Sequence, residues 1–245
     1  MMNRKFTTKF FLQLIATICV AIGLKLFYAS ASVNDLLWVL APTTLLVEIV
    51  TGETFEFESY AGYMNADYSY LIASSCSGVN FLITAFLMLA LVRLWKREVS
   101  WAMIPATFVI AYLTTIVANT VRIAVAIRLH RMSPDMIWIN PEQLHRFEGI
   151  FIYFGFLLLL FVLSESTEDN THFKDPFYLL RRSFIPLLIY WAVTLGIPIA
   201  NGAFSQGKSF WEHSVFVLLT PLILILPLAA FRLMRRHAYN HWRTP

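Results

Sequence analysis

Residues 78–94 read GVNFLITAFLMLALVRL and residues 101–121 read WAMIPATFVIAYLTTIVANTV, with WKREVS between them at 95–100. As helices, runs of this length reach across most or all of a hydrocarbon layer ~30 Å thick, which takes about 20 residues. Arg93, Lys96 and Arg97 mark the connection as a basic turn, the kind retained on the cytoplasmic side of a membrane. The two runs therefore predict an antiparallel helical hairpin that folds back near residue 99.

Outward from the hairpin, further apolar segments cover 10–28, 34–50, 148–164, 184–200 and 210–231. The chain has 245 residues, 58% hydrophobic and 14% charged, whereas a soluble domain carries about 25% charged residues. The expected fold is all-α: a polytopic membrane helical bundle with about six to seven transmembrane helices, in a single integral membrane domain over 1–245. Ala29-Ser30-Ala31 looks like a signal-peptide cleavage site, but the run before it is long and Lys25 interrupts its end, so 10–28 is read as a helix. Of the two cysteines, which are too few for a disulfide framework, Cys19 lies inside that run, where a buried thiol is ordinary packing.

Basic residues gather at segment ends: Arg4, Lys5 and Lys9; Arg93, Lys96 and Arg97; Arg181 and Arg182; Arg232, Arg235, Arg236 and Arg243. No aromatic-basic stripe accompanies them, so they set topology and do not bind nucleic acid. Segments 93–100, 165–183 and 232–245 are expected in the cytoplasm. Segment 51–75, with Glu53, Glu56, Glu58 and Asp67 and no Lys or Arg, is expected outside, as are 122–147 and 201–209. The amino-terminal part breaks this alternation. Either 34–50, with Pro42 and Glu48, is a bent or re-entrant element that returns to the outer face, or the amino terminus faces outward.

Three clusters carry polar chemistry at the outer ends of these helices. In Ala73-Ser74-Ser75-Cys76-Ser77-Gly78, Cys76 stands at the amino terminus of a helix, where unpaired N–H groups and the helix dipole favour an anion. Thiolate is the nucleophilic form of cysteine. Taken alone, the cluster is equally a helix cap made by Ser75 or Ser77, with Cys76 as filler. Asn119 and Arg122 share a helix face and suit a carbonyl or carboxylate, although a lone Arg at a helix end is commonly an anchor; Arg128 and Arg131 fit that plainer role. His145 opens the run 148–164, and histidine is the proton shuttle of neutral pH. His130, His172, His213, His237 and His241 lie at segment ends without such company. The midpoint of 76 and 122 is 99, inside the basic turn, so Cys76 and Arg122 are expected at one depth, with His145 starting inward from the same side. The three side chains are expected within about 4–7 Å of one another, allowing for loose apo geometry.

Together, Cys76-Ser77-Gly78, Asn119-Thr120-Val121-Arg122 and His145 resemble the exosortase/archaeosortase family of membrane cysteine transpeptidases, over roughly 35–165. The stretch from Leu40-Ala41-Pro42-Thr43 to Gly62-Tyr63 resembles the smaller exosortase K branch. The two last helices, 184–231, carry none of the pattern. The resemblance implies Cys76 as nucleophile, His145 as acid/base and Arg122 as oxyanion stabiliser, with support from Asn119, Ser77 and Gly78. It implies no cofactor and no metal. Its substrates are surface proteins ending in a short motif, one transmembrane helix and a basic tail. They are cleaved on the extracytoplasmic side of the cell (inner) membrane and passed to an acceptor through a thioester. The acidic and aromatic segment 53–70 would line the entry or form an interfacial aromatic belt. Two other classes compete. A non-enzymatic transporter or assembly subunit would use Glu48 and Arg122 along a path, although paired broken helices in matching halves are missing. A membrane cysteine protease without transfer would use the same three residues.

Overall fold

The computed structural model describes residues 8–96, 100–131, 141–166, 176–200 and 207–241. Among them, five helices are long and apolar enough to cross a membrane: Thr8–Ser30, Asn34–Thr51, Ser74–Trp95, Met103–Arg131 and Gln143–Glu165. Shorter apolar helices follow at Ser183–Gly196 and Phe210–Leu226. The protein is thus a polytopic helical bundle, as the apolar runs predict. It divides into two compact units, Met1–Ile137 and Trp138–Pro245. Arg4, Lys5, Arg97, His172 and Arg243, named above as topology markers or as segment-end histidine, lie outside the described residues, as do the side chains of Arg181, Arg182, Arg232, Arg235, Arg236, His237 and His241.

The first unit is built on the predicted hairpin. Helices α3 (Val79–Trp95) and α4 (Met103–Arg131) pack along their lengths. Phe86 meets Phe108 edge-on, with centroids 5.9 Å apart. Helix α1 (Thr8–Ser30) lies antiparallel to α3: Lys25 reaches Asn80 at 2.8 Å, and three residues later the Tyr28 hydroxyl stands 3.5 Å from the Ser74 carbonyl. Gln13, Thr17 and Ala21 form its buried stripe. Cys19 is exposed, contrary to its expected burial, because it falls off that stripe on the face turned away from α3.

Helix α2 (Leu37–Thr51) settles the topology conflict within this unit. Trp38 stacks on Tyr112, and Glu53, just past the end of α2, pairs with Arg131 at the end of α4. Both chains ascend together, so α2 runs parallel to α4, and hence parallel to α1. The connection 31–36 spans at most about 20 Å, too short to cross ~30 Å of hydrocarbon. Helix α2 therefore does not repeat the crossing. It starts at depth, level with Tyr112, and climbs back to the end where α1 finished. This direction is the one that a re-entrant reading of 34–50 requires. Pro42 lies inside α2 and has no N–H to offer the Trp38 carbonyl four residues earlier. The Tyr112 hydroxyl donates to that carbonyl instead, at 2.7 Å.

Past Gly52, whose left-handed backbone ends α2, the chain makes a three-stranded antiparallel meander: β1 (Phe55–Glu58), β2 (Gly62–Asn65) and β3 (Leu71–Ile72). Phe55 pairs with Asn65, Glu58 with Gly62, and Tyr63 with Ile72. Gly62 is required: its φ is +126°, and a Cβ there would stand 2.3 Å from the Ile72 carbonyl oxygen. Glu48 accepts from the Phe55 N–H at 2.8 Å. Burial first, and then the charge of Glu48, hold the Tyr63 phenol above its ordinary range. Glu48 is thus occupied in holding the sheet, which removes the main support for a transport path.

In the second unit, α5 (Pro141–Ser166) and α8 (Lys208–His241) run in the same direction, since Arg146 acts on His213 and Gly155 faces Leu224. Between them the chain returns through α6 (Pro176–Trp191), a π turn (Ala192–Gly196) and the short α7 (Ile197–Ala200). Phe154 of α5 meets Tyr190 of α6 with centroids 5.6 Å apart. The carbonyl of Val217, freed by Pro221, accepts from the Trp191 indole N–H at 3.0 Å. The device repeats the one at Pro42.

Candidate active site

Strand β3 ends two residues before a 3-10 turn, Ser74–Cys76. The Cys76 N–H donates to the Ala73 carbonyl at 2.8 Å and the Ser77 N–H to Ser74 at 3.1 Å. Gly78 is the residue that starts α3, with φ +74° and no side-chain cap. Neither Ser75 nor Ser77 caps the helix, so the alternative reading of this cluster as an ordinary cap does not hold. Leu82 is the first residue whose N–H is taken by Gly78, at 3.0 Å. The N–H groups of Val79 and Asn80 precede the first intrahelical bond of α3 and lie at its positive end, in the turn after Cys76.

Helix α4 fastens this turn. Asn119 is fully buried, and its Nδ2 donates to the Cys76 carbonyl at 2.5 Å. Gly78 lets the backbone come this close. A Cβ there would lie 3.2 Å from Thr115 Cγ2 and 3.3 Å from Asn119 Cγ. Ser77 is buried beside them, and its hydroxyl has no hydrogen-bond partner among the described residues. Cys76 itself is half-buried and not in a disulfide. Arg122, half-buried, follows Asn119 by three residues on the same side of α4. Cys76, Ser77, Gly78 and Asn119 are thus in one cluster, and Arg122 follows Asn119 on the next turn of α4.

Two of these positions sit differently in their helices from expectation. Arg122 is not at a helix end, because α4 continues nine residues further, to Arg131. Nothing in Val121–Arg131 breaks a helix, and loss of hydropathy alone does not end one. Arg131 is also more than an anchor, since it pairs with Glu53. With the edge contact of Tyr70 on His130, centroids 5.6 Å apart, that pair ties the β-meander to the end of α4. Likewise His145 does not precede a helix. It stands in the second turn of α5, which begins at Pro141, a residue well suited to a first helical position.

His145 belongs to the second unit. Its side chain is 52% exposed, and Nδ1 lies 3.5 Å from Oε2 of Glu148, three residues on. Sequence reading gave Glu148 no role, although a carboxylate opening an apolar run is itself a signal. Lys25 was read only as an interruption of the first run. It joins Asn80 in the first turn of α3 and lies over the Tyr28 ring, 5.5 Å from its centroid. It thus adds a positive charge at the end of α3 that carries Cys76.

A half-buried cysteine beside the positive end of a helix, with its carbonyl held by a buried amide and an arginine one turn further along α4, brings together residue types that nucleophilic acyl chemistry uses. Residues 3–162 match the family model described as transmembrane exosortase. Neither the curated proteins nor the solved structures yield a match to the chain.

Proposed function

Because the chain belongs to the transmembrane exosortase family, and hence to the membrane cysteine transpeptidases, we propose that it cleaves the carboxy-terminal sorting signal of surface proteins. The observation that carries this is the Cys76 turn, held to α4 by Asn119 at the amino terminus of α3. The Cys76 thiolate attacks the scissile carbonyl, forming a C–S bond and moving the carbonyl electron pair onto oxygen. Arg122 and the backbone N–H groups of Val79 and Asn80 at the start of α3 stabilise that oxyanion. When the oxyanion collapses, the C–N bond breaks, and His145 gives its proton to the departing amine. A thioester on Cys76 remains. An acceptor amine, giving its proton to His145, attacks it and restores the thiolate. With water as acceptor the same residues make a simple protease.

The substrate is a protein ending in motif, transmembrane helix and basic tail. Its tail stays cytoplasmic, so its motif meets Cys76 at the extracytoplasmic face of the cell membrane. The exposed Tyr60 and Tyr68 of the β-meander, 91% and 76% accessible, give that face an aromatic rim.

The test uses cells carrying the protein and a sorting-signal substrate, with precursor and cleaved form separated on a gel. Cys76→Ala is expected to abolish cleavage while the protein stays inserted, and Cys19→Ala to be silent. In the Cys19→Ala protein, a membrane-impermeant thiol reagent added outside is expected to stop processing. Normal cleavage by Cys76→Ala overturns the mechanism. Cleavage that resists the outside reagent but yields to a permeant one overturns the sidedness.

A further inference from the structure

The carboxyl of Glu148 is an anomaly in the second unit. The residue is 6% exposed, and both carboxylate oxygens are buried without a hydrogen-bond partner among the described residues. A carboxylate in that condition is costly to keep, and a buried charge is normally paired or hydrogen-bonded. What stands beside it is the His145 ring, with Nδ1 3.5 Å from Oε2. The spacing of three residues puts both side chains on one face of α5. The distance exceeds a formed hydrogen bond by about 0.3–0.8 Å, the slack expected of a catalytic contact that tightens when substrate arrives.

We propose that Glu148 is the positioning residue for His145. Its carboxylate takes the Nδ1–H of the imidazole and fixes that tautomer, which leaves Nε2 as the nitrogen that exchanges the proton. The physical gain is that of any carboxylate behind a shuttling histidine: the ring is held in one orientation, and the cation formed in transit is stabilised. Other charges near this end of α5 are differently employed. Arg146 stands two residues from Glu148, a spacing that does not face it, and acts on His213 of α8. Glu212, beside His213 in sequence, has interactions of its own. The role rests on His145 being the proton shuttle proposed above.

The test separates positioning from packing by sign. Glu148→Gln keeps the shape and removes a buried charge. A packing residue so replaced leaves turnover alone. A positioning residue so replaced leaves folding intact or improved and slows the chemistry. On purified full-length protein with a sorting-signal substrate, Glu148→Gln is expected to lower kcat on the order of 10²-fold or more, with KM within about twofold and an unchanged or higher melting temperature. Glu148→Asp is expected to recover part of kcat. The double variant His145→Ala, Glu148→Gln is expected to be no slower than His145→Ala alone, since the two act as a unit. If Glu148→Gln turns over normally while Cys76→Ala and His145→Ala are dead, Glu148 has no such role and the catalytic assignment stands. If His145→Ala is itself fully active, the shuttle fails, and the positioning role fails with it. A Glu148→Gln protein that no longer folds also overturns the proposal, because it makes the carboxylate structural.

Discussion

Gly78 is where the cost of building the Cys76 turn can be measured one atom at a time. Its backbone is left-handed, at φ +74°, and a methyl group there would press on Thr115 and Asn119. Gly78→Ala is expected to destabilise the protein by about 1–3 kcal/mol from backbone strain and crowding, read as earlier unfolding in a detergent melt. It should also reduce processing by more than the loss of folded protein, since the crowded amide of Asn119 holds the Cys76 carbonyl. A fully stable and active Gly78→Ala would mean that the close approach of α3 to α4 has no function. Cys76 and Asn119 were legible in sequence because a hairpin fixes which residues share a depth, and the midpoint rule needs only the turn. Glu148 was not. Its part becomes visible only when burial and the orphaned oxygens are known, and neither follows from its place in the string His145-Arg146-Phe147-Glu148-Gly149. The exposure of Cys19 was missed for the same reason: an apolar run does not say which of its faces is covered.

At the scale of elements, the helices were found but not their ends. Hydropathy marks where hydrocarbon begins, whereas helices continue into polar sequence until something stops them. So α4 extends through Arg122 to Arg131 and α5 starts at Pro141. The β-meander was not foreseen, because Phe55–Glu58 is a four-residue alternation, easily read as an acidic and aromatic belt. Two helix pairs share a device that was also hidden, in which a proline-freed carbonyl is taken by an aromatic donor from a neighbouring helix: Trp38 by Tyr112 and Val217 by Trp191. Tyr112→Phe and Trp191→Phe are each expected to cost about 1–2 kcal/mol in unfolding from mixed micelles. In a Pro42→Ala background the N–H is restored, so Tyr112→Phe should there cost less than half as much. Equal costs in both backgrounds would show that Tyr112 stabilises by its ring alone.

At the scale of the whole molecule, the direction of α2 constrains the topology that charge counting leaves open. Because 31–36 is too short to cross, α1 and α2 end at the same face, and the β-meander that delivers Cys76 is raised there on α2 and α4. The proposed nucleophile Cys76, with Asn119 and Arg122, lies in the first unit, and the proposed proton shuttle His145, with Glu148 beside it, lies on α5 of the second. The central claim is covalent: Cys76 carries the substrate between cleavage and transfer. It is tested most directly by acid-quenching the purified protein during turnover of a sorting-signal substrate and weighing the peptide that contains Cys76. The account predicts that this peptide gains the mass of the substrate's amino-terminal cleavage fragment, that hydroxylamine removes the addition, and that the Cys76→Ala protein never acquires it. Steady release of cleaved substrate with the Cys76 peptide unmodified, and undiminished when Cys76 is alkylated, would contradict it.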